Sequence, residues 1–236
     1  MSSIRAFTFV PTTNTNESHC GSVVDIGTLH TALKVRVVLT DICGAESEIR
    51  VHTSSDGVAW RVHTCFCPKH ESVGEIVVVD VDRYVKIEWH VDGCPETTIA
   101  VTGTAHQLYA NQKDMVALSL GPSVFLDADW QLVNRALLHG SDVAAGYLNS
   151  RFKLPLLRWY ADLAGHTAAV SAYRFMVSRG FAPEGHDSQV RMIFDDAIRW
   201  FERVAKGEIV PTDIEDSSPH VDVGKVIITT HRRRGW

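Results

Sequence analysis

The 236-residue sequence predicts an α+β protein with two domains and a C-terminal arm. Residues 1–110 alternate apolar and polar side chains between turn signals, which is typical of antiparallel strands with one buried face. Residues 127–207 place apolar side chains at helical spacing, whereas residues 111–126 follow neither periodicity. We therefore predict a β-sandwich domain over 1–110, a linker over 111–126, a four-helix domain over 127–207 and an extended arm over 208–236.

Residues 1–110 are interpreted as a set of short strands. Between residues 33 and 39, alternate apolar side chains fall on one face, and Lys34 and Arg36 fall on the other. Asp56-Gly57 lies between two such segments and is a strong signal for a tight hairpin. Seven or eight short strands at this spacing favour an antiparallel β-sandwich. The predicted strands are Ile4–Val10, Leu33–Leu39, Ile49–His52, Ala59–Phe66, Glu75–Val79, Tyr84–Val91 and Thr97–Thr104.

Two helices are predicted directly after the linker. Asp127 fits the N-cap of a helix that carries apolar residues at helical spacing and stops at Gly140. Ser141 would then cap a shorter helix. In that helix Gly146 is small enough to allow close contact with a neighbouring helix.

Two further helices complete the predicted domain. Pro155 fits the first turn of the third helix, which runs to about Arg179 and is apolar nearly all round. We expect this helix to be the buried centre of a small bundle. The fourth helix spans about Ser188–Lys206, with one apolar stripe and a charged face on which Asp195 and Arg199 form an i,i+4 pair.

Composition limits the classes of function. The hydrophobic content of 45% is sufficient for a folded core. The net charge of −5 is carried by residues 1–126, so this half is not expected to wrap nucleic acid. The N-terminus lacks a signal-peptide pattern, charged residues interrupt the longest apolar run, and the five cysteines follow no disulfide spacing. We expect a protein of the reducing cytosol without a membrane span.

The segment His63–His70, HTCFCPKH, is the strongest candidate for a metal site. On a strand, Cys65 and Cys67 face the same way, and His70 could fold back toward them. A zinc ion needs its ligands about 2.0–2.3 Å away, and no second Cys or His pair completes the set. We therefore expect no metal and no other cofactor, with solvent-facing or semi-buried cysteines.

No catalytic residues are predicted. Asp195 and Asp196 could form an acid–base pair, but adjacent helical side chains point about 100° apart and do not easily share one ligand. The sequence also lacks a nucleophile elbow and a Gly-rich phosphate loop. We expect a protein that is not an enzyme.

Four phrases of the second half form a distinctive series. Val133–Leu137, VNRAL, and Gly146–Leu156, GYLNSRFKLPL, resemble the first and second phrases of the head–tail adaptor proteins of Mu-like tailed phages. Asp162–Ala164 loosely fits the third phrase. Phe194–Phe201, FDDAIRWF, followed by Ala205–Gly207, fits the fourth. The phrases occur in the family's order, within about residues 127–211.

This resemblance implies a structural virion protein of the neck, assembled in the host cytoplasm. A family member is expected to form a homo-oligomeric ring, commonly of twelve copies, between the portal protein and a stopper or tail-terminator protein. DNA would pass through the ring's channel with weak, non-specific contacts to the protein, because tight contacts would prevent sliding. A typical member is the helical module alone, so the resemblance leaves the contacts of residues 1–110 open.

Two groups of residues are predicted to make contacts between subunits. The first is Arg191, Arg199 and Arg203 on the exposed face of the fourth helix. The second lies in the arm, where a lone strand has unpaired edges and is expected to pair with a neighbour. The arm residues concerned are Val226, Ile228, Arg232, Arg233, Arg234 and Trp236. The basic tail either contacts channel DNA or an acidic groove, or is simply solvated.

A second interpretation starts from the N-terminal domain. The phrases SSDGVAW and RYVKIEW resemble short patterns of discoidin-like jelly rolls. This resemblance implies a jelly-roll-like sandwich, and the alternative function is a carbohydrate- or surface-binding module on a helical mount. A metalloprotein centred on Cys65 and Cys67 is the third interpretation.

Overall fold

The structure, a computed structural model, describes residues 4–15, 19–40, 47–67, 72–91, 97–120, 122–125, 128–180, 188–211 and 214–218. The predictions made for His70, Asp127, Val226, Ile228, Arg232, Arg233, Arg234 and Trp236 concern residues outside these ranges. Among the residues described, none of the helices combines the length and apolar character that crossing a bilayer requires.

The N-terminal part of the described chain forms two antiparallel sheets. Sheet A has the strand order β1-β9-β4-β7, and sheet B has the order β2-β8-β5-β6, with β3 also paired to β8. The strands are β1 (Arg5–Thr15), β2 (His19–Cys20), β3 (Val24–Asp25), β4 (Ala32–Thr40), β5 (Ser47–Ser54), β6 (Arg61–Phe66), β7 (Ser72–Val79), β8 (Tyr84–Val91) and β9 (Thr97–His106).

The predicted antiparallel sheets are confirmed, and one hydrophobic cluster joins them. In β4, Val35 and Val37 are fully buried, as the alternation of the sequence predicts. Val85 and Ile87 of β8, in the other sheet, belong to the same cluster. Burying a side chain of this size stabilises the fold by about 1.5–3 kcal/mol, so this shared core holds the two sheets face to face.

The Asp56-Gly57 signal lies in the turn between β5 and β6. Gly57 has a φ of 78°, which favours glycine. The Asp56 carboxylate accepts hydrogen bonds from the backbone N–H groups of Val58 and Ala59, at 2.8 and 2.9 Å. These bonds lower the pKa of Asp56 below its usual value. The turn is therefore fixed by its own side chain.

Four helices follow the sheets in the described chain. They are α1 (Gln112–Met115), α2 (Trp130–Leu148), α3 (Ala161–Ser178) and α4 (Ser188–Lys206). The fourth helix has the bounds that its apolar stripe predicts. The N-cap of α2 is Asp129, whose side chain accepts a hydrogen bond from the backbone N–H of Gln131.

The predicted break at Gly140 is wrong, because α2 runs through it without interruption. Gly140 faces α3, and a Cβ atom at this position would collide with Ser171 Oγ and lie 2.9 Å from the backbone oxygen of Thr167. Ser141 caps no helix, because its hydroxyl accepts a hydrogen bond from the backbone N–H of Tyr109 at 3.1 Å. Both residues serve packing between elements, although the sequence gives them the appearance of a helix boundary.

The close contact assigned to Gly146 is also wrong for the isolated chain. Gly146 is exposed, and a Cβ atom there would have no neighbour within 4 Å. The neighbouring residues behave as predicted, because Leu148 is fully buried and Tyr147 stacks on Phe201. The close approach of α2 to another helix therefore occurs at Gly140.

Pro155 lies before the third helix and not in its first turn. The helix α3 begins at Ala161, and the Leu154-Pro155 peptide bond is cis. The segment around Pro155 is bound by residues 215–217 of the predicted arm. The backbone N–H of Leu157 donates to the oxygen of Glu215 at 2.7 Å, and this part of the arm therefore packs back on its own bundle.

The segment 111–126, predicted as a linker, contains short helical elements. Asn111 and Asp114 form a reciprocal capping box at the start of α1. A π-helical turn follows over Val116–Leu120, and a 3-10 turn follows over Pro122–Phe125. Met115 is fully buried in a cluster with residues of α2 and α3. These residues are therefore part of the helical packing.

Two glutamine side chains join the sheets to the helices. The amide of Gln131 in α2 accepts from the backbone N–H of Val77 at 2.9 Å and donates to its oxygen at 3.2 Å. Asn134 also donates to that oxygen, at 2.9 Å. Gln107 makes the same two-point contact with the backbone of Leu156, at 2.6 and 2.8 Å. Amide groups from α2 thus bind the backbone N–H and oxygen of Val77 on the outer edge of β7, which would otherwise be open to strand pairing.

Candidate interaction surface

The helix α4 has one face in the bundle and one face in solvent. Ala197, Phe201 and Val204 are fully or almost fully buried against the other helices. Trp200 stacks on His166 of α3 with ring centroids 4.4 Å apart. The inner face is therefore fixed by apolar and aromatic packing, and the outer face is exposed to solvent.

His166 of α3 is half-buried in this packing. Burial lowers the pKa of its imidazole below the usual value, and the nearby carboxylates of Asp162 and Asp196 act in the opposite direction. A lowered pKa favours the neutral ring at neutral pH, which is compatible with stacking against Trp200.

The outer face of α4 carries the three arginines predicted for subunit contacts. The side chains of Arg191, Arg199 and Arg203 are 59%, 68% and 57% exposed. The ion pairs on this face are Arg191–Asp195 at 4.0 Å, Arg199–Asp196 at 3.2 Å and Arg203–Glu208 at 3.4 Å. The predicted partner of Arg199 is therefore wrong, because Asp196 at i−3 is the nearer carboxylate.

These exposed pairs contribute little to the stability of the chain. A solvent-exposed ion pair is worth about 0–1 kcal/mol, because water screens the charges and ordering two long side chains costs entropy. The arginines can therefore exchange their carboxylates for those of another molecule at low cost.

Two of the three candidate metal ligands, Cys65 and Cys67, belong to the residues that the structure describes. Cys65 and Cys67 are free and exposed, as is Cys20. His63 has its Nε2 atom 3.2 Å from the backbone oxygen of Asp80. Within the ranges that the structure covers, no group of three or more His, Cys, Asp or Glu side chains is placed to hold a metal ion.

A groove that the sequence did not reveal lies on the outer face of sheet A, beside α2. Its volume is about 580 Å³. Beside it, the ring of His106 is almost fully buried, with Nδ1 3.0 Å from the Asp142 carboxylate and Nε2 2.8 Å from the Thr104 hydroxyl. The polar groups of the lining are Thr8, Lys34, Arg36, Glu75, Thr102, Thr104, His106 and Asp142. The one sequence signal was the position of Lys34 and Arg36 on the face opposite the core.

A protein-family model matches the second half of the chain. The model of the family described as "Bacteriophage Mu, Gp36" matches residues 100–224, which is more than half of the chain. The chain belongs to the bacteriophage Mu Gp36 family. This phage family was anticipated by the adaptor-like phrases at about 127–211, and the matched span extends beyond them on both sides.

The span of the Gp36 match also includes the segment before α2. It begins inside β9 and includes α1, the turns after it, and the whole of α2, α3 and α4. The residues predicted as a linker are thus within the family's span. The burial of Met115 agrees with this, because it places the same segment in the helical packing. The strands from β1 to β8 lie outside the match.

Solved structures share limited similarity with this Gp36 family member. The PBSX exported protein XepA is 13% identical over 44% of this chain and 37% of its own, with a TM-score of 0.35. The SPBc2 prophage-derived protein YomS is 13% identical over 43% of this chain and 91% of its own, with a TM-score of 0.27. The Yersinia pseudotuberculosis-derived mitogen is 12% identical over 44% and 86%, with a TM-score of 0.30. No curated protein matches the chain.

Proposed function

We propose that this chain is a structural virion protein that acts as a head–tail adaptor. Copies of the chain form a ring between the portal and the tail, and DNA passes through the channel of the ring. The observation that carries this proposal is the Gp36 family match, which contains the complete bundle of α2, α3 and α4. The proposed function is assembly without catalysis.

The outer face of α4 is the proposed contact between neighbouring subunits. A closed ring needs a heterologous interface, in which one surface of each subunit binds a different surface of the next. The exposed arginines and carboxylates of α4 supply one such surface, because their internal pairs are long or exposed. Apolar packing on the opposite side of α4 keeps these groups in a fixed array.

The N-terminal sheets and the helices have separate tasks in this proposal. We infer that residues 1–110 form a jelly-roll-like domain beside the adaptor bundle. Support comes from the hydrophobic core of the N-terminal domain, because the cluster that joins the two sheets contains no residue of the helices. The sheets would face a neck partner such as the portal or the stopper, and weak phosphate contacts with DNA would be confined to the ring channel.

The first experiment measures the mass of the full chain in solution and its presence in purified phage particles. The proposal expects either a ring-sized oligomer in solution or a subunit that assembles only on the portal, and in both cases it expects the chain in the particle. A chain that stays monomeric with the portal present and is missing from particles contradicts the proposal.

A pair of charge-reversal variants then tests the interface. Arg191, Arg199 and Arg203 are replaced together by Glu, and the control replaces Arg50, Arg61 and Arg83, in and beside sheet B, in the same way. Both variants change the charge by the same amount at exposed positions. We expect loss of ring formation for the α4 variant and normal assembly for the control. Equal assembly of the two variants, with unchanged circular dichroism, refutes the assigned interface.

A further inference from the structure

The groove on sheet A is built from ordered rows of polar side chains. Thr8, Thr102, Arg36 and Glu75 are directly opposite one another across β1, β9, β4 and β7. Directly opposite residues of antiparallel strands have Cβ atoms about 4.5–5.5 Å apart. The row therefore places two hydroxyl groups beside one guanidinium group on a rigid floor.

The charges of the groove are paired except for one. Lys34 Nζ lies 3.0 Å from the carboxylate of Glu75, and His106 contacts Asp142. Within the part of the chain that the structure describes, the side chain of Arg36 has no ion-pair or hydrogen-bond partner. Arg36 is exposed and lines the groove. The groove thus offers one planar, permanently charged donor to a ligand.

The Thr104 hydroxyl of the floor is held in place from below. Its Oγ1 atom is 2.8 Å from His106 Nε2, and Asp142 binds the other ring nitrogen. Because His106 is buried, this chain of hydrogen bonds fixes the orientation of the hydroxyl before any ligand arrives. Such preorganisation is a property of binding sites and has no task in the ring contact proposed for α4.

We propose that this groove binds a uronic acid, which is a sugar ring that carries one carboxylate. The Arg36 fork binds the carboxylate, and the threonine hydroxyls bind the hydroxyls of the ring. A volume of about 580 Å³ accommodates one or two sugar units. The carboxylates of Glu75 and Asp142 disfavour ligands with more negative charge, so a phosphate dianion fits less well than a carboxylate.

The test is a titration of the full isotope-labelled chain with D-glucuronate, followed by the backbone amide signals of Thr102, Gly103 and Thr104. Glucose, acetate and inorganic phosphate are titrated in parallel. We expect glucuronate to shift these signals at lower concentration than any of the other three. Arg36→Ala should weaken glucuronate binding about tenfold or more, because it removes a charge-assisted hydrogen bond.

Two variants separate the arginine's geometry from its charge. Arg36→Lys keeps the charge but loses the planar fork, so it should bind with intermediate affinity. Arg50→Ala removes an exposed arginine of sheet B and should bind like the wild type. Absence of shifts with glucuronate, equal binding of glucose, acetate or phosphate, or unchanged binding by Arg36→Ala each overturns the proposal. Ring assembly by Arg36→Ala stays normal, so this test is independent of the adaptor function.

Discussion

Two glycines of α2 should respond to the same substitution in opposite directions. In a helix interior, alanine is more favourable than glycine by about 1 kcal/mol. Gly146→Ala should gain this amount, because its new Cβ meets no atom within 4 Å. Gly140→Ala should lose stability, because its Cβ would lie 2.9 Å from Thr167 O and 3.0 Å from Ser171 N of α3.

The magnitude follows from the atoms that must move. Besides the hydroxyl of Ser171, the close contacts of Gly140 are backbone atoms, so α3 has to shift, and overpacking of this kind costs about 1–3 kcal/mol. After the gain in helix propensity, Gly140→Ala should be up to about 2 kcal/mol less stable than the wild type. The two variants should then differ by about 1–3 kcal/mol, or roughly 2–12 °C in Tm for a chain of this size.

Thermal and urea unfolding of the two variants, followed by circular dichroism, measures this difference. The helix, the substitution and the change in composition are the same, so the comparison isolates the contact with α3. Equal stability of Gly140→Ala and Gly146→Ala would refute the close packing of α2 on α3.

Three further outcomes follow from the contacts. The folded pKa of His166 is lowered, so the unfolded chain takes up the proton first, and stability falls as the pH drops below about 6.5. His166→Phe keeps an aromatic ring against Trp200. Between about pH 7 and about pH 5 it should lose less unfolding free energy than the wild type, as measured by urea unfolding. Equal losses in the two proteins would exclude His166 as a source of the pH dependence. Gln131→Ala leaves a backbone N–H of β7 without its acceptor and should cost about 1–3 kcal/mol, whereas the exposed Gln189→Ala should change stability by less than about 0.5 kcal/mol. Cys65 and Cys67 should react with a thiol reagent in the folded protein, and slow reaction at the unfolding rate would show that they are shielded.

The longer strands and α4 were predictable because each carries a complete periodic pattern, whereas the two-residue strands β2 and β3 were not predicted. Val35 and Val37 occupy the buried face that their alternation predicts, and Phe201 and Val204 occupy the buried stripe of α4. Here the sheet or the bundle buries the side chains that the local sequence marks as apolar. Local pattern and tertiary environment agree, so the pattern alone determines the element.

The sequence was misleading at residues whose type is common at helix ends but which serve tertiary packing in this fold. Gly140 followed by Ser141 has the composition of a helix end and a new cap, but α3 and Tyr109 provide the partners that keep this helix continuous. Those partners are about 30 residues away in the chain, and no local pattern records them. The capping box at the start of α1 does have a local signal, because Asn111 and Asp114 have the residue types and the spacing of such a box. The helix was nevertheless not predicted, because the segment otherwise lacks periodicity.

The groove could be predicted only in part. Lys34 and Arg36 were placed on the outer face of β4, but nothing local indicated that β7, β9 and α2 would enclose them. His106 and Asp142 are 36 residues apart and meet only through the junction of sheet and helix. A polar site assembled from five elements has no signature in any one of them.

The most direct test of the adaptor proposal is imaging of the phage neck at subunit resolution. The proposal predicts closed rings of this chain between portal and tail, with the outer face of α4 against the next subunit and the bundles surrounding the DNA channel. A neck in which this chain is missing, or is present with the α4 arginines facing solvent in every copy, would contradict it.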